Sequence, residues 1–224
     1  MSAMVAMGII ALKWFYSQAG AAELEWMLGP PCWLASHLAN LDLVHETGAG
    51  WISHTHHMVV GAACAGVNFF IVCLAMLFFS FRARVRSERS WLATSLLLAY
   101  LVAIAVNTVR IIAAAHLYAL SLAPGWLTPE RLHRCAGTVL YCIGLAATYA
   151  SVSACFGARR ISIAPFFWYL SIALGLPLLR ACWTNTAVAA NFFEHAATVL
   201  AVVTVVWLAL RMMHGARLRG RVGS

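Results

Sequence analysis

The sequence predicts an all-α membrane protein, a bundle of about six transmembrane helices, on three observations. The 224-residue chain is 63% hydrophobic and only 10% charged, far more apolar than a soluble domain. Apolar runs long enough to cross a ~30 Å hydrocarbon core recur along it. Short arginine clusters, at Arg82 to Arg89, at Arg159-Arg160 and at Arg211 to Arg221, fall in alternate connections between those runs, as the positive-inside rule requires. A single integral membrane domain over residues 1–224 is expected, with no room for a separate soluble one.

Taken in order, Met1 to Tyr16 is apolar but short and is interrupted by Lys13. It is read as a first membrane helix, and the small residues of Ser17 to Ala22 leave a cleaved signal as the alternative. Glu23 to Val44 is mixed, and Pro30-Pro31 is expected to break any helix there. An interfacial or re-entrant segment is expected, with a crossing left open. Gly48 to His57 is a polar loop. Further spans are expected at Met58 to Phe81, Trp91 to about Ala119, Leu132 to Phe156, Ile163 to Leu179 and Ala196 to Leu210. Ala123 to Glu130, which holds two prolines, is a loop.

With the arginine clusters on the cytoplasmic side, Gly48 to His57, Leu120 to Arg131 and Ala181 to His195 face outward, and both termini lie inside. The net charge of +8 is explained by those clusters without a nucleic-acid partner. Seven cysteines are scattered without paired zinc-like spacing, and most lie in apolar helices, where a thiol packs as a small hydrophobe. No disulfide framework, metal or cofactor is expected.

The most informative stretch is Ala99 to Leu120, which carries one full charge, Arg110, three residues after Asn107. An arginine at the centre of a membrane helix costs roughly 2.5–3.5 kcal/mol even on lenient scales, so a partner, a cavity or a task must offset it. Depth follows from a rise of about 1.5 Å per helical residue. Cys64 counted back from Arg82 lies roughly 27 Å up, Arg110 counted from Trp91 roughly 28 Å, and His133 counted from Cys155 roughly 33 Å. The three share one outer layer. Asn68 is placed four residues beyond Cys64 on the same helix face, and Asn107 one turn below Arg110, both as support. A thiol, an imidazole and a fixed cation permit acyl transfer: a thiolate attacks a carbonyl, a histidine handles the proton, and the cation stabilises the oxyanion.

Cys64-Ala-Gly-Val-Asn68, Asn107-Thr-Val-Arg110, and His133 with Gly137 four residues later follow one another on successive helices. In this order they resemble the exosortase and archaeosortase family of membrane cysteine transpeptidases, and the Cys-Ala-Gly-Val-Asn-Phe form is most similar to the K-type exosortases. The resemblance covers mainly residues 58–145. It implies Cys64 as nucleophile, Arg110 as oxyanion or substrate stabiliser and His133 as general acid or base. It also implies a membrane-anchored protein substrate with a C-terminal sorting signal (a short motif, an apolar helix and a basic end). That signal is cleaved at the outer face of a bacterial cytoplasmic membrane, and the protein is joined to an acceptor. Family members are often associated with exopolysaccharide production.

Plainer readings stand beside this one. Cys64 can be a packed core thiol, Arg110 can snorkel to the interface, and His133 can be an ordinary helix-end histidine. Arg180, Glu194 and His195 form a second outer-layer set, read first as a structural Arg180 to Glu194 ion pair and otherwise as lining for a substrate groove. An alternative function is a metal or haem carrier built on His54, His56, His57, His116, His133 and His195. A transporter using Arg110 for an anion is a third, disfavoured by the absence of an internal repeat.

Overall fold

The computed structural model describes residues 1–119, 129–157, 162–184 and 192–222. It is an all-α membrane-type fold with one small sheet. Helices α1 (Ser2–Tyr16), α2 (Glu25–Ala39), α3 (Val67–Phe81), α4 (Glu88–Ala119), α5 (Pro129–Cys155), α6 (Ala164–Leu170), α7 (Leu176–Thr184) and α8 (Phe192–Val222) are joined, between α2 and α3, by strands β1 (Leu43–Glu46), β2 (Gly50–Ser53) and β3 (Met58–Val60). Among the described residues, five helical segments are long and apolar enough to cross a membrane: Ala62–Arg84, Glu88–Leu117, Leu132–Cys155, Ala164–Trp183 and Phe192–Met212. At 15 residues, α1 is shorter than the ~20 that a full crossing needs. Contacts divide the chain into two compact units, Met1–Gly137 and Thr138–Ser224.

In the first unit α3 is the central helix, buried around most of its circumference. Its sequence is apolar on every face, which is the pattern of a helix surrounded by others. Helix α1 runs antiparallel to it, because the Arg82 guanidinium at the far end of α3 donates to Ser2 Oγ and the Lys13 ammonium donates to Asn68 Oδ1 at the near end. The lysine that interrupts the first apolar run is thus matched to an amide on its neighbour. Helix α4 packs on both α2 and α3, pinned by the Trp91 indole donating to the Leu77 carbonyl at 3.1 Å.

Three sequence expectations are corrected here. Pro30-Pro31 does not break α2, which runs through both. Proline at position 30 removes the donor that would meet the Trp26 carbonyl one turn earlier. The Tyr100 hydroxyl of α4 donates to that carbonyl instead, at 2.9 Å, and stacks its ring on Trp26. Second, the polar segment after α2 is an antiparallel three-stranded meander in the order β1-β2-β3, with Trp51 opposite Val60 and His45 opposite Trp51. Third, the apolar run from Met58 is not helical throughout. It is strand β3, then a 3-10 turn over Ala62–Cys64, and becomes α3 only at Val67.

In the second unit α6 and α7 form one apolar rod joined by a π turn over Ser171–Gly175. Pro177, just inside α7, can neither donate to the preceding turn nor fit against its carbonyl, and the wider π turn accommodates it. Helix α6 also packs on α8.

Candidate active site

Four features of the first unit build one cavity. Helix α4 supplies Arg110, Ile111 and Ala114, and the start of α5 supplies His133. The 3-10 turn supplies Cys64, and β3 with the residue before it supplies His57, Met58, Val59 and Val60. These nine residues line a cavity of about 210 Å³. The thiol, the cation and the imidazole that depth counting placed in one layer therefore meet at one place.

The turn that carries Cys64 is held from α4. Gly66 lies in the left-handed region at φ 75°, where a side chain costs about 1–2 kcal/mol, so glycine is the residue that fits. It also has no room for one, because a Cβ at position 66 would lie 3.1 Å from Asn107 Cγ. That closeness lets Asn107, only 1% exposed, donate from Nδ2 to the Cys64 carbonyl at 2.8 Å. Asn107 thus fixes the Cys64 backbone. The left-handed step at Gly66 also separates Cys64 from α3, so Cys64 and Asn68 do not share a helix face as the sequence reading had them. Asn68 instead accepts the hydrogen bond from Lys13.

Arg110 and His133 touch directly, with Nη2 3.2 Å from Nε2. A guanidinium can only donate, so Nε2 is the acceptor and the imidazole is neutral, with its proton on Nδ1. The contact depends on Gly137, one turn along α5 from His133. A Cβ there would lie 2.8 Å from Arg110 Nε, so the bare backbone is what lets the guanidinium lie across α5.

Cys64 differs from the other buried cysteines in access. Its side chain is partly exposed to the cavity, whereas Cys32, Cys73 and Cys142 are fully buried. Burial, with smaller contributions from Glu25 and the Cys64 thiol, pushes the Cys32 thiol up to about 12. It is an inert thiol at neutral pH.

His57 is a lining residue that the sequence reading gave no part in this site. It is one of two non-glycine residues at positive φ among those described, at 49°, a posture that costs about 1–2 kcal/mol for a side chain with a Cβ. The preceding turn is tied down by Asp42. One carboxylate oxygen accepts from Ser53 Oγ, and the other accepts from the Thr55 N–H at 2.9 Å and the Thr55 hydroxyl at 2.7 Å. The His56 N–H donates to Ser53 Oγ at 3.1 Å. These hydrogen bonds, led by Ser53, hold the Asp42 carboxyl well below the usual carboxylate range. Nothing in the sequence marks His57 off from its neighbours, and only the folded turn singles it out.

The histidine cluster diverges. His54 pairs with Glu46 at 3.3 Å, His56 with Asp42 at 3.4 Å, and His57 lines the cavity. Among the described residues no three His, Cys, Asp or Glu side chains gather closely enough to hold a metal ion. Glu194 and His195 lie in the first turn of α8, in the second unit, both exposed. The side chain of Arg180 lies outside the described residues, and with it the expected Arg180 to Glu194 pair. Comparison with family models, with curated proteins and with solved structures returns no match.

Proposed function

We propose that the chain is a membrane-embedded cysteine endopeptidase and transpeptidase. It cleaves the C-terminal sorting signal of membrane-anchored proteins at the outer face of a bacterial cytoplasmic membrane and passes them, through a thioester on Cys64, to an acceptor. The observation that carries this reading is one cavity shared by Cys64, Arg110 and His133, each from a different element, with Gly66 and Asn107 shaping the Cys64 turn and Gly137 making room for the Arg110 guanidinium beside His133.

Each group has a role consistent with its chemistry. Cys64 is the nucleophile, since the other described cysteines are buried or lie away from the cavity. Arg110 has five N–H donors in a fixed fork, so it can hold His133 and still face a carbonyl oxygen. As that oxygen gains charge it competes for the guanidinium, and Nε2 of His133 is released to accept the thiol proton. The Cys64 sulfur bonds to the carbonyl carbon, the C–N bond breaks, and the departing amine takes the proton from His133. Asn107 holds the Cys64 backbone in register, and Asn68 supports the helix pair. The substrate's apolar helix would lie in the bilayer beside the protein, with its basic end at the cytoplasmic arginines.

The test is co-expression of a candidate substrate with the Cys64→Ala, Arg110→Ala and His133→Ala variants, following its C-terminal processing by gel mobility. Each variant should accumulate in the membrane and leave the substrate uncut. Processing by Cys64→Ala would remove the nucleophile and with it this function.

A further inference from the structure

We propose that His57 is a second acid–base residue of the same cavity, serving the half of the reaction that resolves the thioester. The inference rests on the cysteine reading above and goes beyond its three residues. Two imidazoles line the cavity, and they are differently engaged. The acceptor nitrogen of His133 is held by Arg110, which suits it to a proton exchange timed by the arginine's move to the oxyanion. His57 is exposed at the sheet end of the cavity, where an incoming acceptor arrives from water. A residue there at positive φ, behind a turn fastened by three hydrogen bonds to Asp42, is held in place against its backbone preference. Such local strain at a cavity wall is a common mark of a functional position.

In this step the acceptor, an amine or a hydroxyl, loses its proton to the His57 imidazole as its nitrogen or oxygen bonds to the thioester carbon. The C–S bond breaks, and the Cys64 thiolate leaves and regains its thiol proton from the His57 imidazolium. Nothing is oxidised or reduced, and the enzyme returns to its starting state.

The experiment uses the full-length protein in detergent or vesicles, p-nitrophenyl acetate as acyl donor and glycinamide as acceptor. The p-nitrophenolate leaving group needs no acid, so its burst reports acylation of Cys64, and the later steady rate reports transfer to glycinamide. His57→Asn is the informative variant, because asparagine tolerates the left-handed region and keeps the turn while removing the imidazole. His57→Gly, equally at ease there, checks it. Both should keep the burst within about threefold, lose about 10²-fold in the transfer rate, and recover transfer when free imidazole is added. Arg110, His133 and Cys64 line the same cavity, and His54 and His56 neighbour His57 in the loop. His54→Asn and His56→Asn should keep the wild-type transfer rate, and free imidazole should leave both unchanged.

Transfer at the wild-type rate in His57→Asn overturns the assignment and leaves the role of Cys64 intact. Loss of the burst together with transfer in both His57 variants, with unchanged thermal midpoints, also overturns it, because His57 would then act before the thioester. A burst that survives Cys64→Ala refutes the cysteine reading itself, a result distinct from either of these.

Discussion

Gly137→Ala should disable the site without unfolding the protein. The added Cβ would lie 2.8 Å from Arg110 Nε, 3.5 Å from its Cδ and 3.6 Å from its Cζ. Ordinary van der Waals separation begins at roughly 3.5 Å, so the guanidinium must retreat by more than half an ångström. Its bond to His133, at 3.2 Å, already stands at the long end of the normal range and does not survive such a shift. A misplacement of ~1 Å in a catalytic group costs about 10²-fold, so a fall of about 10- to 100-fold in the acylation rate of Cys64 is expected. Stability responds in opposite directions. Alanine gains about 0.5–1 kcal/mol over glycine in a helix, and overpacking costs about 1–3 kcal/mol, which leaves a net loss small enough for the variant to accumulate. The assay is the p-nitrophenolate burst rate beside a thermal midpoint, for Gly137→Ala, Arg110→Ala and the pair. If the glycine acts through the arginine, Gly137→Ala adds less than about a factor of two once Arg110 is gone. A wild-type burst rate in Gly137→Ala, or a full penalty in the Arg110→Ala background, would refute the geometric argument.

Other substitutions test the support of the site. Asn107→Ala removes the donor to the Cys64 carbonyl and should cost about 1–3 kcal/mol, together with a slower acylation read in the same burst assay. Gly66→Ala meets both the left-handed backbone and Asn107, and a thermal midpoint should show a loss of at least about 1–2 kcal/mol. Asn68→Ala removes the amide that accepts from the Lys13 ammonium between α1 and α3; it should lower the thermal midpoint while leaving the acylation rate per folded molecule unchanged. Asp42 gives a pH prediction. Its folded value is depressed by Ser53, Thr55 and His56, so its contribution is fully present above the ordinary carboxylate value of ~3.9 and is lost as pH falls from there through the folded value. Denaturant titrations should show that acid-side loss in the wild type and less of it in Asp42→Asn.

The parts of this protein legible in its sequence are those that a period and a charge can encode. Long apolar runs ending in arginines gave the spans, and rise per residue brought Cys64, Arg110 and His133 to one level, although Cys64 proved to sit on a turn beyond the end of α3. The three line one cavity all the same. What could not be read was compensation between distant residues. Pro30 reads as a helix breaker until Tyr100, 70 positions later in the sequence, is found satisfying the carbonyl that the proline abandons. Lys13 reads as an interruption until Asn68 meets it. His57 is one of three histidines in four residues, and only the Asp42 turn, built from residues 11 to 13 positions away, separates it from the other two. The same reasoning bears on Gly137. A glycine within a helix is ordinarily a weak point, and this one makes sense only when the guanidinium that occupies its missing side chain's place is known. A site of this kind is specified as much by the side chains it omits as by those it contains, and so the glycine and asparagine substitutions test its geometry more sharply than removal of the thiol, which can report only that sulfur is required.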